Sequence, residues 1–69
     1  MQKYLVIYEK AGDNFSAYSP DIAGCIATGK NRREVEKNIK DAILFHIEGL
    51  REDGLPYPEP VSSIDYVEV

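Results

Sequence analysis

The chain has 69 residues, a net charge of −4, 43% hydrophobic and 29% charged residues, a composition typical of one soluble globular domain spanning residues 1–69. No apolar run approaches the ~20 residues of a membrane helix, and the mild acidity disfavours direct binding of nucleic acid, whose phosphates attract basic side chains. A single cysteine excludes an internal disulfide and, with no signal peptide evident, indicates a cytoplasmic protein.

The first predicted elements are two strands joined by a turn. Residues 2–9 are rich in Tyr, Val and Ile, which favours a strand. Its side chains alternate between two apolar faces, with Leu5 and Ile7 on one and Tyr4, Val6 and Tyr8 on the other. We therefore expect this strand to be central in its sheet or covered on both sides. A turn at residues 11–14 then predicts a hairpin to a second strand at 15–18.

A third strand and a long helix follow. Residues 25–28 predict a short strand, and Asn31 with Glu34 three positions later forms the pattern of a helix N-cap. The helix is expected to run to about Asp53, where Gly54 suits the position after the cap. Gly49 weakens the helix interior, so we expect another group to pack closely against it.

The remaining residues are extended. Pro56, Pro58 and Pro60 predict a non-helical linker, and residues 64–69 (IDYVEV) alternate as a final strand would. The resulting order is β-β-β-α-β, an α+β domain of two layers in which a three-stranded antiparallel meander carries one long helix and a final strand rejoins the sheet.

One apolar stripe runs along the predicted helix. At 100° per residue its members are Val35, Ile39, Ala42, Ile43, His46 and Leu50. A histidine in this position could act as a base or a metal ligand. With no second histidine, a packed side chain with one hydrogen bond is the favoured interpretation.

Three further apolar residues of the helix, Leu44, Phe45 and Ile47, lie off the centre of that stripe. Leu44 is placed nearly opposite it, and the other two on its flanks. One helix on one small sheet would leave them exposed, and an exposed apolar patch marks an interface. We predict that they form a homo-oligomer interface, with isolated exposed residues as the alternative.

The stretch SPDIAGCIATG invites comparison with an active-site loop. Cys25 begins a strand and precedes the helix by several residues, so we expect it to be a small core residue rather than a nucleophile. Asp13 and Asp21 lie on separate loops, a weak pattern for a metal site. The stretch is best interpreted as the turns that link a strand to a helix.

Three motifs follow one another along the chain: Tyr18-Ser-Pro-Asp-Ile-Ala-Gly-Cys25, then Ala27-Thr28-Gly29, then a long helix that closes with Glu48-Gly-Leu-Arg-Glu-Asp-Gly-Leu-Pro-Tyr-Pro-Glu-Pro60. In this combination they resemble the N-terminal domain of the HicB antitoxins. The resemblance implies a partial RNase H-like fold without enzymatic activity or cofactors. It implies a homodimer or homotetramer that blocks a small, basic, mRNA-cleaving toxin of the HicA type. Many members continue into a DNA-binding segment, which this sequence lacks, so direct DNA binding is not expected.

On this resemblance, an acidic surface would cover the toxin's RNA-binding face and its catalytic histidine. The expected contributors are Glu48, Glu52 and Asp53 at the helix end, together with the acids that follow them. The alternative is an oligomeric protein-binding module of the same fold without a toxin. A metal-dependent nuclease is a third possibility, which would need the few available aspartates to converge.

Overall fold

The computed structural model describes residues 2–69 and contains three strands followed by one helix. The strands are β1 (Ile7–Ala11), β2 (Asn14–Tyr18) and β3 (Ile26–Gly29), and the helix is α1 (Arg32–Glu52). The predicted α+β class and the order of these four elements are confirmed.

The strands form an antiparallel meander in the order β1-β2-β3. The central strand is β2, so of the two alternatives for the first strand a central place is wrong: β1 is an edge strand, and residues 4–8 are partly buried on both faces. It also begins at Ile7 rather than at residue 2, because Ile7 pairs with Tyr18, the last residue of β2. Beyond Tyr18 the chain turns at Pro20, which leaves residues 2–6 without a neighbouring strand.

The helix begins and ends as its capping residues predict. The Asn31 side chain accepts a hydrogen bond of 2.8 Å from the backbone N–H of Glu34. At the other end, Asp53 is the C-cap and Gly54 has φ +69°, the left-handed conformation that favours glycine.

The core lies where α1 crosses β3 and β2. Its buried members are Ala17, Ile22, Cys25, Val35 and Ile39. The helix comes closest to the sheet at the end of β3, where a Cβ on Gly29 would lie 2.5 Å from the backbone nitrogen of Val35. By contrast, a Cβ on Gly49 would meet nothing within 4 Å, so the expected close contact at Gly49 is absent.

The predicted final strand is not formed. Residues 55–69, which we call the C-terminal arm, belong to no helix or strand. The paired strand predicted from the alternation of residues 64–69 is therefore wrong. Alternation alone does not supply a hydrogen-bonded neighbour.

Candidate protein-binding surface

An apolar groove separates the first strand from the helix. Because α1 packs on β3 and β2, its backbone stays away from β1, and the inner side chains of the first strand are only partly covered. Two hollows of about 330 and 400 Å³ share Ile43 and Leu44 and together form this groove. Its apolar walls are Tyr4, Val6, Tyr8, Ile39, Ile43, Leu44, Ile47 and Tyr57.

The rim of the groove is charged. The Arg32 guanidinium lies 3.7 Å from the centre of the Tyr8 ring, a cation–π contact, and pairs with Glu36 at 3.0 Å. Arg32 thus covers one end of the first strand, where the helix does not reach. The middle of the groove has no such cover, and Leu44 keeps 57% of its surface exposed.

The structure separates the three residues predicted to form one oligomer interface. Leu44 and Ile47 lie together in the groove. Phe45 is 83% exposed and lines neither hollow, since it lies about 160° around the helix axis from Ile47. Leu44 faces the groove rather than the side of the helix opposite the sheet. Their role in oligomerisation stays a prediction, but the three side chains do not share a face.

Phe45 instead shares a helix face with two of the predicted toxin-binding acids. Glu48 and Glu52 follow it at positions i+3 and i+7, within about 60° of it around the helix axis. All three side chains are exposed. We call this group the Phe45 face: one aromatic ring flanked by carboxylates, with Asp53 at the C-cap beyond it.

The acids of the Phe45 face are not equivalent. Glu48 forms an ion pair of 2.6 Å with Arg51, and this hydrogen bond lowers the pKa of the Glu48 carboxyl. Both partners are largely exposed, so the pair adds little to stability. The charge of Glu48 is partly balanced by Arg51, whereas Glu52 takes part in no ion pair within residues 2–69.

The C-terminal arm is attached to the domain at two points. The Tyr4 hydroxyl lies 2.8 Å from the carbonyl oxygen of Pro58. Asp21 accepts two hydrogen bonds from Ser62, one from its backbone N–H at 3.1 Å and one from its hydroxyl at 2.7 Å. Neither contact is predictable from the sequence, because no local pattern links residues 41 or 54 positions apart.

The residues weighed for catalysis do not form a site. Cys25 is buried in the core as expected, and burial raises the pKa of its thiol, the opposite of what a nucleophile needs. Both carboxylate oxygens of Asp21 accept hydrogen bonds from Ser62. Across residues 2–69, no group of three or more His, Cys, Asp and Glu side chains is placed to hold a metal ion.

His46 is half-buried on the helix, as a packed side chain would be. Its predicted hydrogen bond is wrong, since none of the side-chain hydrogen bonds in the described chain involves it. None of the helical structure in residues 2–69 combines the length and apolar character that crossing a membrane requires.

Comparison with known proteins decides the family. The model of the HicB-like antitoxins of bacterial toxin-antitoxin systems matches residues 4–69. The chain belongs to the HicB-like antitoxin family. A chain of the solved HicA3 and HicB3 toxin-antitoxin complex is 35% identical, with a TM-score of 0.70 over 87% of this chain and 70% of that one.

Curated relatives of this HicB-like chain include long and short proteins. An uncharacterised 14.9 kDa protein of Haemophilus phage HP1 is 40% identical over 87% of this chain, which spans 47% of the phage protein. UPF0150 proteins of Helicobacter pylori and Thermoplasma acidophilum are 31% and 37% identical, over 84% and 81% of this chain and 81% and 83% of their own lengths. The chain thus spans about half of the phage relative and most of the other two.

Proposed function

We propose that this HicB-like chain is an antitoxin that binds a small HicA-type toxin, covers its RNA-binding face and occludes its catalytic histidine. The observation that carries the proposal is the 35% identity to a chain of a toxin-antitoxin complex, at a TM-score of 0.70. The chain's own chemistry is compatible with this role. Inhibition by covering a surface needs a rigid, complementary face and no catalytic groups.

The Phe45 face is the toxin contact that we propose. An exposed aromatic ring among carboxylates suits a basic partner, because the ring supplies buried area and the carboxylates supply charge complementarity. Glu52 and Asp53 carry this charge more fully than Glu48, which is paired with Arg51.

The apolar groove is the homo-oligomer contact that we propose, through Leu44 and Ile47. A domain of this size buries a modest fraction of its surface, and a second copy would cover side chains that α1 leaves open. Two separate faces would let the chain bind a second copy and a toxin at the same time.

The direct experiment is co-expression of the chain with the protein encoded by the adjacent reading frame, followed by an RNA-cleavage assay with and without the chain. A stable complex with suppressed cleavage is the expected result. The absence of both a complex and any effect on cleavage would refute the antitoxin role and leave the oligomeric binding module as the better description.

The same complex tests the Phe45 face. The double substitution Glu48→Lys with Glu52→Lys should weaken toxin binding by at least tenfold, about 1.4 kcal/mol. Glu9→Lys with Asp13→Lys is the matched control, because both are exposed acids outside α1 and the two substitutions change the net charge by the same amount. Equal loss in both variants would point to overall charge rather than to this face.

A further inference from the structure

The end of the C-terminal arm has strand chemistry but no strand partner. Among the backbone groups of residues 63–69, one forms a hydrogen bond within residues 2–69: the Tyr66 N–H donates to the carboxylate of the neighbouring Asp65 at 2.7 Å. The other N–H and C=O groups of residues 63–69 have no partner within residues 2–69. Unpaired backbone of this kind is a ready template for pairing with another sheet.

The large side chains of this segment are also mostly exposed. Tyr66 and Val67 keep 86% and 83% of their surfaces exposed. Residues 61–69 contain no proline, whereas residues 55–60 contain three, so every residue of this stretch keeps the N–H that a β-ladder needs. Aromatic and β-branched residues favour strands, and this stretch contains Val61, Ile64, Tyr66, Val67 and Val69.

The attachment at Ser62 fixes where this free segment begins. Asp21 holds the Ser62 backbone and hydroxyl against the loop that follows β2. The position of Ser62, from which residues 63–69 continue, is therefore fixed on the domain. Such preorganisation lowers the entropy lost when an extended segment binds.

The charge of the arm selects its partner. Residues 54–69 carry Glu59, Asp65 and Glu68 and no Lys or Arg. A second copy carries the same net charge of −4, so electrostatics favour docking of this acidic segment on a basic protein over docking on a second copy, whose contact we place in the apolar groove. The chain's own β1 edge is close by, because Ile64 and Tyr66 lie beside Ile7 and Tyr8, yet no backbone hydrogen bond joins them.

We propose that residues 63–69 are a docking strand, which adds to the open sheet edge of a basic partner protein. The proposal rests on the proposed function, since the partner that it names is the toxin. Main-chain hydrogen bonds would supply affinity, and the alternating side chains with Asp65 and Glu68 would supply specificity.

Proline substitutions in the complex with the adjacent-frame toxin test this pairing. Adjacent N–H groups in a strand point to opposite edges, so we use Val67→Pro and Glu68→Pro separately, with Val67→Ala and Glu68→Ala as controls that keep the N–H. One proline variant should bind the toxin at least tenfold more weakly than its alanine control. In the wild-type complex, amides of residues 63–69 should become protected from hydrogen exchange.

Charge substitutions test the choice of partner. Asp65→Asn with Glu68→Gln should weaken binding, and Asp65→Lys with Glu68→Lys should weaken it more, mainly by slowing association. Raising the salt concentration should slow the association of the wild type more than that of the charge-reversed variant.

The failures are distinguishable. If the wild type inhibits the toxin and both proline variants inhibit it equally well, and if residues 63–69 stay unprotected in the wild-type complex, the docking strand is overturned. The antitoxin role is then left intact. Protection of these amides in the isolated chain would overturn it in favour of the chain's own β1 edge or, if it grew with concentration, of a second copy. A wild type that binds no toxin would overturn both proposals.

Discussion

Asp21 holds Ser62 through both of its carboxylate oxygens, across 41 residues of sequence, with distances of 3.1 Å to the backbone nitrogen and 2.7 Å to the hydroxyl. The aspartate that sequence analysis weighed as a metal ligand is thus the anchor of the C-terminal arm. Hydrogen bonds to a charged acceptor are worth about 1.5–3 kcal/mol each when well formed, so this pair can hold an otherwise free segment.

Removal of this anchor should release the arm without unfolding the domain. In Asp21→Ala, the Ser62 amide should exchange faster and the arm should be cleaved sooner by protease, while the helix and sheet keep their protection. Asp13→Ala, an exposed turn acid, is the control. Unchanged exchange in the arm would mean that the Tyr4–Pro58 contact alone holds it.

Two glycines should respond to alanine with opposite signs. Gly29→Ala would place a Cβ 2.5 Å from the Val35 nitrogen, so the helix start must move, and we expect a loss of about 1–3 kcal/mol in the free energy of unfolding. Gly49→Ala meets open space inside a helix and should add up to about 1 kcal/mol. Denaturant unfolding of both variants measures this directly, and a tolerated Gly29→Ala would contradict the close approach.

The two helix faces should differ in their effect on assembly. Leu44→Glu places a charge in the apolar groove and should lower the mass of the isolated chain measured by light scattering. Phe45→Glu, on the other side of α1, should leave this mass unchanged and weaken toxin binding instead. A mass unaffected by Leu44→Glu, or lowered only by Phe45→Glu, would assign oligomerisation away from the groove.

Tyr4 should couple the arm to high pH. Its pKa is raised above the ordinary value of 10.0, first by desolvation and then by the charge of Glu59. The folded state therefore favours the neutral phenol: its contribution is fully present below pH 10 and is lost as pH rises through the folded-state pKa.

The atoms around the Tyr4 hydroxyl explain why its ionisation should loosen the arm. Ionised, the Tyr4 oxygen would face two acceptors, the Pro58 carbonyl at 2.8 Å and the Gln2 side-chain oxygen at 2.6 Å. Exchange of the Ser62 amide, measured from pH 8 to 11 and corrected for the intrinsic rate, should accelerate in the wild type. Tyr4→Phe should show fast exchange at every pH, and a pH-independent wild type would contradict the coupling.

Sequence by itself determined the local features of this protein. The N-cap at Asn31, the stop at Gly54, the hairpin turn and the buried stripe of Val35 and Ile39 each depend on residues a few positions apart, and each was predicted. The family, too, was evident from short motifs spread along most of the chain.

Only the tertiary structure decided which surfaces are open. The helix lies over β3 and β2 because Gly29 admits it there, and this placement leaves β1 at an edge and opens the groove. It also puts Phe45 with the acids rather than with Leu44, and leaves residues 64–69 unpaired. Periodicity fixes the spacing of side chains around one element, but the position of that element on its neighbours depends on contacts between residues far apart in sequence, which no local pattern encodes.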